Sequence, residues 1–225
     1  MPPLAQPATP RHVVLAVSTL PDPEFAQLRP GLWIWHAHDR SVKTDLFSAA
    51  IATQAGLYLV DPIPLADADL ATLVQKSQIT AIVVTNVNHQ RAALDYSDRF
   101  SLPVLGHVET LATIKPTRSD DVYGIASKAE FEVIEIEGAV AGEIALYHWA
   151  NGGTLFVGDA LINLDPYGFS FLPRKYCVNQ NQLRRSLSKI LSLSIERILF
   201  AHGTPILSRG SARLRQLLEG DLSQR

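Results

Sequence analysis

The sequence predicts a soluble α/β domain, and three stretches carry the prediction. Leu57–Val60 and Ile79–Val84 are unbroken apolar runs on either side of a segment with leucines at helical spacing. Runs of that kind read as strands covered on both faces, so the trio is a strand–helix–strand unit. Asn151-Gly152-Gly153 separates two further apolar runs, Ile144–Trp149 and Thr154–Val157, which is a hairpin signal. Gln180–Leu218 closes the chain with a helix, a strand and a basic helix in turn.

Taken in order, Arg11–Val17 is valine-rich and predicts a strand. Leu32–His36 predicts another, with its two tryptophans on one face and Ile34 on the other. Ala49–Thr53 extends the sheet, and Gly56 opens the run that stops at Asp61-Pro62. The following helix has a stripe of Leu65, Leu70, Leu73 and Val74. Asp67 and Asp69 in its first turn suit the helix dipole. After Ile79–Val84 the chain predicts a helix over Arg91–Phe100 and a short strand at Val104-Leu105. Glu130–Ile136 alternates apolar residues with glutamates, as a half-exposed strand does. Gln180–Leu193 is a helix, Ile195–Ala201 a strand, and Ser211–Leu218 the last helix. No linker divides the halves. Residues 1–10, with four prolines, read as a flexible N-terminal extension, and 11–225 as one domain.

Bulk properties exclude several classes. A net charge of -2 gives no basic excess, so no nucleic-acid partner is expected. Neither a signal peptide nor an apolar run of membrane-spanning length is present, so the expectation is a cytoplasmic protein with no membrane partner. Cys177 is the single cysteine, which rules out an internal disulfide and thiolate metal clusters. It reads as a buried small residue.

Three strand ends present polar groups. Thr85-Asn86-Val87-Asn88-His89-Gln90-Arg91 follows Ile79–Val84, Gly158-Asp159 follows Leu155–Val157, and His202-Gly203 follows Ile198–Ala201. Several such ends brought together make a site from residues far apart in sequence. His36 and His38 share a strand face, while His107 and His148 read as structural. Pro166–Phe171 is an aromatic-rich loop that could cover a pocket, pack internally or form a homodimer contact.

With Asp61-Pro62, the polar loop, the Leu-Phe-Val-Gly-Asp-Ala-Leu segment at 155–161 and Leu-Phe-Ala-His-Gly-Thr-Pro at 199–205, the chain resembles the metallo-β-lactamase-like hydrolases from about Leu32 to Leu218. The resemblance implies a four-layer αββα sandwich, two mixed sheets with helices outside. It also implies a metal loop of the form T-H-x-H-x-D-H, against which this chain departs. Asn86 and Asn88 replace two histidines, Gln90 the aspartate, Arg91 the third histidine, and Ala139 a fourth. Of seven implied ligand positions, Asp159 and His202 keep the ligand type, and His89 lies between two others.

Zinc normally takes at least three nitrogen, sulfur or carboxylate ligands from a protein, so an ordinary dinuclear centre is not expected. The candidate catalytic residues are His89, Asp159 and His202, and the same three are the metal ligands if a single ion binds. Asp61, Asn86, Asn88, Gln90, Arg91 and Glu143 are expected to line the pocket. The cofactor is then none or one divalent ion, such as zinc. Arg91, permanently charged, is expected to take the metal's electrostatic place by pairing with Asp159. Three functions stay open: a divergent hydrolase with at most one weakly held metal, a non-catalytic small-molecule-binding or regulatory domain, and a metal-free enzyme using His202 or His89 as base.

Overall fold

The protein's structure, a computed structural model, describes residues 24–126, 130–165 and 167–222. The predicted strand at Arg11–Val17 lies outside them.

Seven strands form the first sheet in sequence order: β1 (Glu24–Arg29), β2 (Leu32–Asp39), β3 (Thr44–Thr53), β4 (Gly56–Val60), β5 (Ile79–Val84), β6 (Val104–Gly106) and β7 (Ser119–Asp121). The pairs β1 to β4 are antiparallel, and those from β4 onward are parallel. Crossover helices follow from the parallel half. These are α1 (Asp67–Lys76) and α2 (Ala93–Phe100), with the shorter α3 (Val108–Ile114) and α4 (Val122–Ala126) after β6 and β7.

The second sheet comprises β8 (Phe131–Glu135), β9 (Ile144–His148), β10 (Thr154–Val157) and the late strand β13 (Arg197–Phe200), in the order β13-β10-β9-β8. It too is mixed, since β13 pairs parallel to β10 and the other pairs are antiparallel. A hairpin of β11 (Leu161–Leu164) and β12 (Gly168–Phe171) attaches through an Asn163–Gly203 bridge. Helices α5 (Gln180–Lys189) and α6 (Gly210–Leu222) pack outside.

Three apolar layers separate four structural ones. Trp33, Trp35, Leu57, Leu59 and Ile82 face α1 and α2. Alternate residues of the same strands, Leu32, Tyr58, Val60 and Val83, meet Phe131, Leu146, Phe156 and Leu199 between the sheets. Leu155, Val157, Ile198 and Phe200 face α5 and α6. The period-two alternation of buried strands makes this stacking, and it is the expected αββα sandwich.

Several details differ from expectation. Val74 is exposed while Leu70 and Leu73 are buried, because α1 offers the sheet only a narrow stripe. Helix α2 starts at Ala93 rather than Arg91, whose φ of 41° is left-handed. The aromatic stretch at 166–171 is largely strand: β12 pairs with β11, and Tyr167 sits at the turn. Cys177 is half-buried, its thiol 3.3 Å from the Leu172 carbonyl. Strand β1 at the sheet edge and the fully exposed β7 carry too little apolar patterning to be read from sequence. No described helix is long and apolar enough to cross a membrane.

Candidate functional site

Parallel strands point their C-terminal ends the same way, so the ends of β4, β5, β10 and β13 meet at one edge of the sandwich. Asp61 leaves β4, Thr85 and Asn86 leave β5, Asp159 follows β10, and His202 follows β13. The two sheets are tied there by Phe47 N–H donating to the Ala201 carbonyl (2.9 Å) and by a Leu46–His202 bridge.

At the centre stands His89, buried. Its Nδ1 lies 2.9 Å from Asp61 Oδ2 and 2.9 Å from Thr85 Oγ1. Thr85 also donates its backbone N–H to Asp61 Oδ1 at 2.8 Å. Asp61 is thus held by donors on both oxygens and fixes the ring with Nδ1 protonated. The other ring nitrogen, Nε2, is buried without a hydrogen-bond partner and lies 3.3 Å from Asp159 Oδ1. His202 Nε2 approaches the same oxygen at 3.3 Å. The three ligand atoms lie within 4.8 Å of one another, the one such grouping of histidine, cysteine and carboxylate side chains among the described residues.

Beneath this cluster, Asn86 Nδ2 donates to Glu143 Oε2 (2.7 Å) and Asp159 Oδ2 (3.2 Å), and Asn86 Oδ1 accepts from Asn88 N–H (2.9 Å). Glu143 Oε1 accepts from Ala160 N–H at 3.0 Å. Buried carboxylates so close interact strongly. Burial, and next the charge of Asp159, push the Glu143 carboxyl up to about 8 despite those hydrogen bonds. Burial also works to raise Asp61 and Asp159, but His89 outweighs it at both, helped by Arg91 at Asp61 and by His202 at Asp159. Both carboxyls are held below the usual range. Burial works to lower His89, yet the two carboxylates flanking it carry it up to about 9. His202 is lowered, chiefly by burial.

This arrangement of two packed sheets with helices outside is shared with known proteins. The family profile described as the metallo-β-lactamase superfamily matches residues 26–220, nearly the whole described chain. The chain belongs to the metallo-β-lactamase superfamily. A metallo-β-lactamase from Pontibacter korlensis superposes with a TM-score of 0.67 at 15% identity, covering 88% of this chain and 99% of that one. The metallo-β-lactamase IND-7 gives 0.62 at 17% identity, covering 91% and 100%. A β-lactamase domain protein from Burkholderia ambifaria gives 0.63 at 14%, covering 89% and 77%. At such identities the likeness is one of fold. No curated protein matches the sequence.

Within the superfamily fold, the expected residues separate into two groups. His89, Asp159, His202, Arg91 and Asn88 border an open cleft that Val42, Tyr167 and Tyr176 also line. Asp61, Asn86 and Glu143 lie buried beneath it rather than on its wall. Gln90 stands apart, its carbonyl accepting from Ala93 N–H (2.7 Å) at the start of α2.

Arg91 corrects the expectation made for it. Its guanidinium does not pair with Asp159. Nη1 donates to the carbonyls of Phe47 (2.6 Å) and Asp61 (3.0 Å), and Nη2 to that of Ala201 (3.1 Å). Arg91 has a left-handed φ, and its side chain reaches back to β3 and to the residue after β13. Thr85 figures in the sequence only as the start of the polar loop, and the structure gives it a role by joining it to both Asp61 and His89. His36 and His38 do not share a ligand: His36 pairs with Glu24 (3.4 Å) and His38 with Asp45 (2.7 Å). His107 accepts from Glu109 N–H at 3.3 Å and caps α3.

The donor set suits one divalent ion of the zinc or iron class, two imidazole nitrogens with one carboxylate oxygen. The Nε2 of His89, which makes no hydrogen bond and meets Asp159 only as a 3.3 Å ion pair, is the atom that such an ion would engage, and Asp61 is the outer carboxylate that orients it. The positions of a second ion do not fit: Asn86 is occupied by its own hydrogen bonds and Arg91 brings a positive charge.

Proposed function

We propose that this chain is a divergent hydrolase of the superfamily that works with one divalent ion, held by His89 Nε2, Asp159 Oδ1 and His202 Nε2. The observation that supports it most is the buried Nε2 of His89, without a hydrogen bond and facing the other two ligand atoms. Bound there, a divalent ion supplies Lewis acidity toward a substrate carbonyl or phosphoryl oxygen. The chain's own residues do the rest. Asp61 holds a proton on His89 Nδ1, so the proton an ion would displace is the one on Nε2, whose lone pair then faces the site. Asn88, on the cleft wall, is the loop amide positioned to meet a substrate, whereas the Asn86 amide is occupied. The mixed apolar and polar cleft suits a small organic molecule.

The test is metal analysis of chelator-treated protein reloaded separately with zinc, iron(II) or manganese. One equivalent per chain is expected, lost in Asp159→Ala and His202→Ala, with hydrolysis of an ester or phosphodiester probe appearing only in the loaded wild type. Two equivalents, or none with every metal, would overturn the reading. A second reading, a metal-free ligand-binding domain, draws on the carboxylates either side of His89, which favour an imidazolium where the cation would sit. Zero equivalents together with a melting temperature raised by a small-molecule ligand would support that one.

A further inference from the structure

At the opposite end of the sandwich, cations and polar atoms without hydrogen bonds are gathered, with no carboxylate paired to them among the described residues. His148, Thr154 and Arg197 are cross-strand neighbours, His148 opposite Thr154 and Thr154 opposite Arg197. All three occupy the face that turns inward between the sheets, the face of Leu146, Phe156 and Leu199 two residues along each strand. Arg29, ending β1 in the opposing sheet, is the cross-strand partner of Leu32, which lies in that same layer, and its charge acts on His148 as that of Arg197 acts on it.

The hydrogen-bond pattern there is incomplete. Both ring nitrogens of His148, the Thr154 hydroxyl, and Nε and Nη2 of Arg29 are buried and without partners. His148 is 2% exposed and Thr154 fully buried. Arg29 Nη1 is used on the Pro30 carbonyl (3.2 Å), and Arg197 Nη1 on that of Asn151 (2.9 Å). Glu130, whose charge reaches His148, has its Oε2 accepting from Gln54 N–H. Neither Arg29 nor Arg197 forms an ion pair among the described residues.

Nε and Nη2 are one edge of the guanidinium, the edge that grips two oxygens of one anion at once. A water molecule could satisfy single donors but would leave two neighbouring cations uncompensated. We infer that this end of the sandwich binds a small oxyanion of the phosphate or sulfate class, with the Nε/Nη2 edge of Arg29 and the Thr154 hydroxyl as donors, His148 as a third and Arg197 as added charge. The site is separate from the cleft and owes nothing to the metal reading. Arg29 is only partly buried, which leaves a way in.

The test titrates inorganic phosphate into the full chain at constant chloride ionic strength, by calorimetry and by thermal melting. Saturable binding of one phosphate per chain is expected, unchanged in His202→Ala. Arg29→Lys keeps the charge but lacks the two-donor edge, and should weaken binding about tenfold, the worth of one charge-assisted hydrogen bond. Phosphate should also raise the melting temperature of the wild type and not that of Arg29→Lys. Thr154→Val should weaken binding in the same direction. No saturation by about 20 mM, well beyond a millimolar Kd, would overturn the inference. So would binding that survives Arg29→Lys undiminished or disappears in His202→Ala.

Discussion

Asp61 shows how one side chain governs the site from outside the cleft. Its carboxylate accepts from Thr85 N–H and from the His89 ring, while its own carbonyl accepts from Arg91 and from Ser48 Oγ. The left-handed φ of 46° that this requires is one that Asp and Asn tolerate better than most residues. Asp61→Asn therefore keeps the backbone and removes the charge that orients His89. Metal affinity should fall about 10- to 100-fold, the usual effect of losing an outer carboxylate. Competition against a chromophoric chelator measures it, and an unchanged affinity would mean that Asp61 does not orient a ligand. At this scale the sequence was partly legible. Asp159, His202 and His89 stood out as ligand types at strand ends, and the structure brings them together. The partners of Arg91 did not stand out, because backbone carbonyls leave no mark in a sequence.

At the scale of elements, the turn between β9 and β10 was the clearest local signal, and the structure makes it an antiparallel hairpin whose loop holds a short 3-10 turn at Ala150–Gly152. Gly153 has a φ of 82°, and a Cβ there would come within 1.9 Å of the Ser194 carbonyl oxygen, backbone that has little room to retreat. Gly153→Ala should cost about 2–4 kcal/mol from backbone strain and overpacking together. Gly168, with a φ of 68° and nothing within 4 Å, is the control, where strain alone should cost about 1 kcal/mol. Urea denaturation of both variants separates the two contributions, and equal losses would show that the Ser194 contact is immaterial. Elements with strong alternation or long apolar runs were legible here. Edge and surface pieces such as β1 and β7 were not, since few of their side chains reach a core.

Across the whole molecule, Arg91 joins the two halves of the sandwich. Its donors reach the carbonyls of Phe47 and Asp61 in the first sheet and of Ala201 beside the second. Removing it leaves buried carbonyls with fewer donors at the edge where the sheets meet. Arg91→Met should destabilise the fold by about 2–4 kcal/mol, with Arg91→Lys recovering only part because an ammonium lacks the planar fork. Chemical denaturation of the two variants checks this. A methionine variant as stable as the parent would show that the Phe47–Ala201 hydrogen bond and the core between the sheets hold that edge unaided.

What the sequence by itself determined was the layer pattern. Period-two and helical spacing of apolar residues decide which face of each element is buried, and that chemistry is local enough to read along the chain. The tertiary structure alone decided which strand ends meet and which way each side chain turns there. It put Asn86 against Glu143 and Asp159, turned Arg91 onto three carbonyls, and left the Nε2 of His89 facing Asp159 and His202. Those outcomes depend on strand register and on two left-handed residues, Asp61 and Arg91. A strand carries no record of its neighbour's register, so the site became visible only when the sheets were assembled.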